Sequence, residues 1–172
     1  LPSTPISLIA GWNWLGYLPQ NPGDVGTALA SLGDLATFIN SQASGASTNY
    51  PEWGQWDGSL ITLEPGPMYL LKMNEAATLT ITGVPVDLPS TPISLIAGWN
   101  WLGYLPQNPG DIATALASLS DAAEFINSQA SGSSTNYSNY DAGWVGSLST
   151  LEPGLMYLLK MNEYATLPVT GV

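Results

Sequence analysis

The sequence contains no cysteine and no histidine, and its 172 residues include only two basic side chains against 13 acidic ones. The absence of cysteine excludes a disulfide framework and thiol chemistry. The absence of histidine removes the most common general base. Lys72 and Lys160 are the only cations in a chain of formal net charge −11, so clustered phosphate contacts, and with them a nucleic-acid partner, are not expected.

Long apolar runs are also missing. No stretch approaches the roughly 18 residues of a membrane span, and no basic segment of the signal-peptide type is present. Charged residues make up only 9% of the chain, so solubility depends on Ser, Thr, Asn and Gly and on an acidic surface. This balance is typical of extracellular structural or adhesive β proteins. We therefore expect a secreted or cell-surface location, no membrane insertion, and a mature portion of a longer protein.

The chain repeats itself. Residues 1–24 recur letter for letter at 88–111, and the strings FINSQASG, LEPG and MYLLKMNE recur in the same order, with a repeat of about 87 residues. The second copy has one extra residue near 141, which predicts a loop there, because strands in register do not absorb insertions. We predict a first module at 1–84, a proline-rich junction at 85–92 and a second module at 88–172, each large enough for one core.

Each copy is predicted to be a β-dominated α+β unit of about six strands, sandwich or barrel-like, with one short helix. Asp24 is a predicted helix N-cap, and Val25, Leu29 and Leu32 follow at helical spacing. The predicted strands of the first copy fall within residues 5–11, 12–18, 36–42, 48–53, 59–63, 68–73 and 78–82. In the second of these, Trp12 and Trp14 share one face and Leu15 the other; both faces are apolar, so we expect Trp12 and Trp14 in the core.

Aromatic residues near the variable loop suggest a second role. Seven tryptophans and eight tyrosines are present, and rings exposed beside the loop would stack on sugars, whereas buried ones would only pack the core. A contiguous exposed strip would favour a carbohydrate-binding module. The candidate stacking residues are Trp53, Trp56, Tyr140 and Trp144.

Carboxylates are the only side chains left for acid–base catalysis. A glycosidase needs two of them across a cleft, and a module this small offers little room for one, so we expect solvated turn acids, no catalytic residues and no cofactor. Calcium would need only oxygen ligands, and Asp87 at the junction is the weak metal candidate. The acids considered are Asp57, Glu64 and Glu75, with counterparts Asp141, Glu152 and Glu163.

One short motif fits an N-glycosylation acceptor. Asn136-Tyr137-Ser138 has the required pattern, whereas Asn49-Tyr50-Pro51 does not. A three-residue pattern arises easily by chance, so we interpret this segment as a polar loop.

Several motifs together resemble a known module. Gly11-Trp12-Asn13 opens a strand, Leu63-Glu64-Pro65-Gly66 precedes Tyr69, and Ala77-Thr78-Leu79 begins the closing strand. The pattern resembles a β-rich module repeated in tandem in large secreted bacterial cell-surface proteins, over nearly the whole repeat. Met68 and Met156 depart from it, since a glycine often precedes the tyrosine. The resemblance implies an extracellular, non-catalytic module.

The junction completes the sequence-based hypothesis. Its prolines favour a stiff, extended connection, and the opening run 4–10 would pair either within its own module or with an edge of the neighbour. We expect modules in a fixed orientation, forming a rod that continues beyond two copies, with flexible beads as the alternative. The function predicted is structural or adhesive, through copies of itself or surface glycans; the alternative is carbohydrate binding. The junction residues are Val84, Pro85, Val86, Asp87, Leu88, Pro89 and Pro92.

Overall fold

The computed structural model describes residues 3–88, 91–140 and 142–169. Strands account for 48% of the chain and helices for 17%, which confirms the prediction of a β-dominated fold. Two five-stranded antiparallel sheets and several two-stranded ones make up the architecture. Pro89 and Asp141, both named above, lie outside the described residues.

The first repeat contributes nine strands within the described part. The order β2-β8-β4-β5-β6 forms its five-stranded sheet, and β1-β9 and β3-β7 form two small ones. Three of the nine are only two to four residues long, which accounts for the lower number expected from the sequence. The strands are β1 Ser3–Leu8, β2 Gly11–Gly16, β3 Gly23–Asp24, β4 Ala36–Ser41, β5 Ala46–Tyr50, β6 Gln55–Gly58, β7 Thr62–Leu63, β8 Met68–Met73 and β9 Ala77–Thr82.

The second repeat reproduces this topology. Its five-stranded sheet has the order β11-β17-β13-β14-β15, and β10-β18 and β12-β16 are the small sheets. Near-identical sequences thus select the same strand pairing twice. The strands are β10 Ile93–Leu95, β11 Gly98–Gly103, β12 Gly110–Asp111, β13 Ala123–Ser128, β14 Ser133–Asn136, β15 Trp144–Gly146, β16 Thr150–Leu151, β17 Met156–Met161 and β18 Ala165–Leu167.

The opening and closing strands of each repeat pair with each other. Ile6 lies opposite Leu79 in the β1–β9 ladder, and Leu95 lies opposite Ala165 in the β10–β18 ladder. Of the two pairings expected for the opening run, the structure therefore has the one within its own repeat. Each repeat also encloses its own cluster of buried apolar side chains.

A single helical turn follows the third strand of each repeat. Helix α1, Val25–Ala28, is capped by Asp24, whose Oδ1 accepts from Thr27 N at 2.9 Å. Val25, Leu29 and Leu32 are all buried, as their spacing predicts. The α-helix stops after one turn and continues as a 3-10 segment, Ala30–Leu35, with a kink at Gly33. Helix α2, Ile112–Ala115, repeats the arrangement.

One predicted strand is largely wrong. Of residues 59–63, only Thr62–Leu63 form a strand. Gln55–Gly58 form a strand that was not predicted. The chain turns after Gly58, where Ser59 N and Leu60 N both donate to the carbonyl oxygen of Ala46, at 2.9 and 3.2 Å. Gly58 has φ +150, and a Cβ there would lie 2.2 Å from the same oxygen, so glycine is required at the turn.

The placement of Trp12 in the core is also wrong. Trp12 is 45% exposed and its equivalent Trp99 is 46% exposed. Trp14 is only half-buried. The buried face of β2 is the one that carries Asn13 and Leu15, so the tryptophans lie on the outer face of the sheet. There Trp12 packs edge-on against Phe38, with ring centroids 5.9 Å apart, and Lys72 Nζ lies 5.8 Å from its ring.

Candidate functional site: the seam and the Trp56 groove

Two glutamines cap exposed strand edges across the repeat boundary. Gln129 Nε2 donates to the carbonyl oxygen of Trp12, and Gln129 Oε1 accepts from Trp14 N at 2.8 Å. A side-chain amide carries the same donor and acceptor as a peptide group. Gln129 therefore satisfies the free edge of β2 as one residue of an added strand would.

The reverse contact is present as well. Gln42, the equivalent of Gln129, donates from Nε2 to the carbonyl oxygen of Trp99 at 3.2 Å, and its Oε1 accepts from Trp101 N at 3.2 Å. The same side chain in each repeat thus caps the same strand in the other. Trp12 and Trp99 are equivalent residues, as are Trp14 and Trp101.

Glycines bring the two backbones together between these caps. Gly16 N donates to Gly154 O at 2.9 Å, and Gly103 N donates to Gly66 O at 3.1 Å. A Cβ at Gly16 would lie 3.3 Å from Gly154 O, and one at Gly103 would lie 3.1 Å from Gly66 O. Neither Gly16 nor Gly103 has a positive φ, so glycine is needed there for close approach rather than for backbone conformation.

These contacts form one reciprocal surface, called the seam below. Each hydrogen bond from the first repeat to the second has a counterpart between equivalent residues in the opposite direction, which is the signature of a two-fold, isologous contact. Two grooves, of about 460 and 330 Å³, flank it. Gln129 and Trp14 line one, and Gln42 and Trp101 line the other.

Apolar packing extends the contact to the junction. Val86 is buried in a small cluster with Leu18 of the first repeat and with Leu105 and Val169 of the second. Pro85 forms an isolated β-bridge with Pro19. The first part of the junction therefore packs against residues of both repeats.

The other described junction residues are near the surface. Val84 is 48% exposed, although its carbonyl oxygen accepts from Gln20 N at 2.7 Å. Pro92 is exposed and Leu88 is half-buried. The Asp87 carbonyl oxygen accepts from Thr91 Oγ1 at 3.0 Å. The described residues contain no cluster of three or more potential metal-ligating side chains, at Asp87 or elsewhere. The expectation of no cofactor, with Asp87 as the weak calcium candidate, stays a prediction.

One seam position differs between the repeats. Leu155 packs against the cores of both repeats, whereas its equivalent, Pro67, is exposed. Leu155 N donates to Glu152 O at 3.2 Å, a bond that a proline cannot make. The seam therefore has two-fold contacts in its backbone and glutamines, and one leucine that departs from the symmetry.

The predicted stacking residues divide into two classes. Trp53 and Tyr140 are 66% and 80% exposed. Trp56 and its equivalent Trp144 are half-buried and pack against the cores of their repeats. Trp53 stacks on Tyr50 with ring centroids 5.0 Å apart. The exposed rings therefore face solvent, while the half-buried rings contact the core of their repeat.

Trp56 lines a groove of about 610 Å³, the Trp56 groove, in the first repeat. Its polar lining includes Asp24, Asp34, Asn49 and Gln55. Asn49 Nδ2 is engaged by the carbonyl oxygens of Gly33 and Ala36, at 3.1 and 2.8 Å. These residues surround a half-buried ring with carboxylate and amide groups.

The corresponding loop of the second repeat makes a different contact. The 3-10 turn Ser138–Tyr140 lies against the segment Ala117–Ala122. Asn139, with its amide nitrogen toward Asp121, places that nitrogen 2.6 Å from Oδ2 and 3.2 Å from Oδ1. Glu52 occupies the position of Asn139 in the first repeat, and a carboxylate cannot donate to the carboxylate of Asp34.

The other acidic residues considered for catalysis are mostly exposed. Glu75 and Glu163 are exposed in turns between strands. Asp57 lies on β6 opposite Thr48, and its structural equivalent is Val145, which lies opposite Thr135. Asp57 therefore has no acidic counterpart in the second repeat.

The tyrosine of each LEPG segment has a structural role. The hydroxyl oxygen of Tyr69 accepts from Glu64 N, and that of Tyr157 accepts from Glu152 N, both at 2.7 Å. Burial raises the pKa of Tyr69, and it raises the pKa of Tyr157 to about 12. These buried phenols fix the turn that carries Gly66 and Gly154 to the seam.

The possible glycosylation acceptor is occupied by internal contacts. Asn136 Nδ2 donates to the carbonyl oxygens of Ser120 and Ala123, both at 2.8 Å. Its Oδ1 accepts from Ser138 N at 3.0 Å. These bonds anchor Asn136 at the end of β14, so the segment is a strand end that leads into a 3-10 turn rather than a polar loop.

Comparison with known proteins returned no match to a family model, a curated protein or a solved structure. Among the described residues, no helix is both long enough and apolar enough to cross a membrane. The functional argument therefore depends on the geometry of the seam and of the Trp56 groove.

Proposed function

We propose that the chain is a structural and adhesive unit of an extracellular surface protein or filament, in which each repeat is a module and the two modules act as one rigid pair. The observation that carries this proposal is the reciprocal capping of β2 by Gln129 and of β11 by Gln42. Such contacts restrict the orientation of one module relative to the other. A fixed orientation favours a structural unit over modules joined as flexible beads.

The strand pairing supports the module assignment. The first and last strands of each repeat pair with each other, and each repeat has its own buried cluster. A unit that closes in this way can be repeated along a chain without exchanging elements with its neighbour. Length in the full protein then comes from joining such pairs.

The composition supports an exposed location. With Lys72 and Lys160 as the only basic residues, almost no trypsin sites are available. Antibody labelling of intact source cells tests the location: we expect surface signal before lysis. Signal that appears only after lysis would contradict it.

Small-angle scattering of the chain tests the rigid pair. We expect one compact two-module shape for the wild type and a broader distribution of shapes for the double variant Gln42→Ala/Gln129→Ala. Gln20→Ala is the control, since Gln20 is exposed and only its backbone contacts Val84. A wild type that scatters as two freely jointed bodies would refute the proposal.

Carbohydrate binding is the second candidate, because the Trp56 groove combines an aromatic ring with Asp34 and Gln55. A glycan array on the wild-type chain, with Gln55→Ala and Asp34→Asn as variants, tests it. We expect any binding to be weakened by both substitutions and unaffected by Tyr140→Ala in the second repeat. An array without hits would remove this candidate.

A further inference from the structure

We propose that the seam is a self-association surface, so that a repeat released from its tandem partner binds a repeat of a second copy of this chain through the same contacts. The inference starts from the seam and does not depend on an extracellular role. It names both the surface and its partner.

Sequence identity at the seam is the first step. The residues that form its hydrogen bonds are the same in both repeats: Trp12 and Trp99, Trp14 and Trp101, Gly16 and Gly103, Gln42 and Gln129, and Gly66 and Gly154. A patch that is complementary to an identical patch is complementary to itself. Two first repeats, or two second repeats, therefore offer each other the same donors and acceptors as the tandem pair.

The two-fold geometry is the second step. In an isologous contact both partners use the same patch, so the contact closes after two members and cannot continue to a third. The seam alone therefore does not build the continuous rod expected from the junction. Further growth requires another contact or the covalent chain itself.

The junction determines whether a repeat binds a repeat of its own chain or a repeat of another chain. A short linker holds the second repeat near the first at an effective concentration of roughly millimolar, so the intramolecular pair is favoured in the two-repeat chain. In an array with an odd number of repeats, one seam remains without a partner in its own chain. That repeat would join two chains, which makes repeat parity a determinant of crosslinking.

The packing at Leu155 adds a directional bias. It contacts both cores, while Pro67 at the equivalent position is exposed. A pair of second repeats has two such leucines and a pair of first repeats has none. We therefore expect the order of affinity to be second–second, then mixed, then first–first.

Cleavage of the intact chain tests the proposal. A protease recognition sequence is inserted between Pro89 and Ser90, the folded chain is cleaved, and native mass spectrometry is recorded at micromolar concentration. The two halves differ in mass, so mixed and like pairs are resolved. We expect mixed pairs at first and then, after incubation, pairs of second halves.

Matched variants identify the surface. Gln42→Ala/Gln129→Ala removes both caps and is expected to raise the dissociation constant at least about tenfold, whereas Gln20→Ala leaves it unchanged. Gly103→Val is expected to abolish pairing because of the 3.1 Å approach to Gly66 O. Dissociation into single halves at micromolar concentration would overturn the proposal, whether or not the halves remain folded. Mixed pairs that never exchange into like pairs would overturn it too.

Discussion

The variable loops of the two repeats differ more than any other equivalent regions, although the cores beneath them are nearly identical. In the first repeat, a groove lined by Asp34 and Trp56 lies beside the loop residues Pro51 and Gln55. In the second, the turn Ser138–Tyr140 packs against the segment Ala117–Ala122, and Asn139 places its amide nitrogen near the Asp121 carboxylate. The two loops differ at several residues, among them Glu52 against Asn139, and the second has one inserted residue. The core tolerates this divergence because the loop lies outside it.

The backbone beneath the loops differs in strain rather than in shape. Gly33 has φ 51 and Ser120 has φ 46, with nearly the same ψ. This is the left-handed region of φ, which favours glycine. The second repeat therefore keeps a conformation that its own residue disfavours, because the surrounding structure specifies it.

Truncation of a core side chain should have the largest effect on the free energy of unfolding. It should also test whether the two repeats are equivalent. Ile39 and Ile126 are both fully buried at equivalent positions. We expect Ile39→Ala and Ile126→Ala each to reduce the free energy of unfolding by about 2–5 kcal/mol. Hydrogen exchange followed by mass spectrometry reports each repeat separately, and we expect faster exchange mainly in the substituted one. Equal exchange in both repeats would mean that they unfold as one unit.

Alkaline pH should destabilise the fold through its buried phenols. Burial raises the pKa of Tyr157 to about 12 from 10.0, so folding favours the protonated form. The stabilisation is fully present below pH 10 and is lost as the pH rises toward 12, by about 2–3 kcal/mol for this group. Urea midpoints between pH 8 and pH 12 measure the loss, and Tyr157→Phe should flatten the dependence. A midpoint that is constant over this range would contradict the assignment.

Exchanging Ser120 and Gly33 should separate backbone strain from sequence context. We expect Ser120→Gly to stabilise the chain by about 1 kcal/mol and Gly33→Ser to destabilise it by a similar amount. Ser118→Gly is the control, since Ser118 is exposed in the same segment and has no positive φ. Thermal melts measure all three. Destabilisation by Ser120→Gly would show that the serine side chain contributes more than the strain costs.

The smallest effect should come from exchanging the loop residues themselves. We expect Asn139→Glu to loosen the turn Ser138–Tyr140 and to cost about 0.5–1.5 kcal/mol through the lost hydrogen bond to Asp121. A double-mutant cycle with Asp121→Asn isolates the pair, and exchange rates of residues 138–140 report the opening. Glu52→Asn in the first repeat is the reciprocal variant, for which we expect slower exchange of residues 51–53. Additive effects in the cycle would exclude a direct Asn139–Asp121 contact.

Local patterns account for the features that were predicted correctly. The N-cap at Asp24 depends on a side chain and an amide three residues apart. The buried helix face depends on the spacing of Val25, Leu29 and Leu32. Both lie within one turn of chain, so the sequence contains all the information that they need. The β-dominated class followed similarly from alternation and turn residues.

The errors arose where burial depends on what lies above a sheet. Trp12 and Leu15 are both large apolar residues. Alternation places them on opposite faces of the strand but does not show which face is buried. The buried face contains Asn13, whose side chain bonds both the N–H and the carbonyl oxygen of Ile9, each at 2.8 Å. A polar residue satisfied by its own turn can be buried, and this local Asn contact is the signal that sequence reasoning missed.

The sequence by itself determined the repetition, most of the strand positions and the capped helical turn, because each depends on residues close together in the chain. Only the tertiary structure decided how the two copies meet. Gln42 and Gln129 are single residues in polar turns, and nothing near them indicates that each caps a strand about 57 to 117 residues away. Their role requires two finished sheets whose free edges and glycines approach each other. That approach is a property of folded surfaces and not of local sequence.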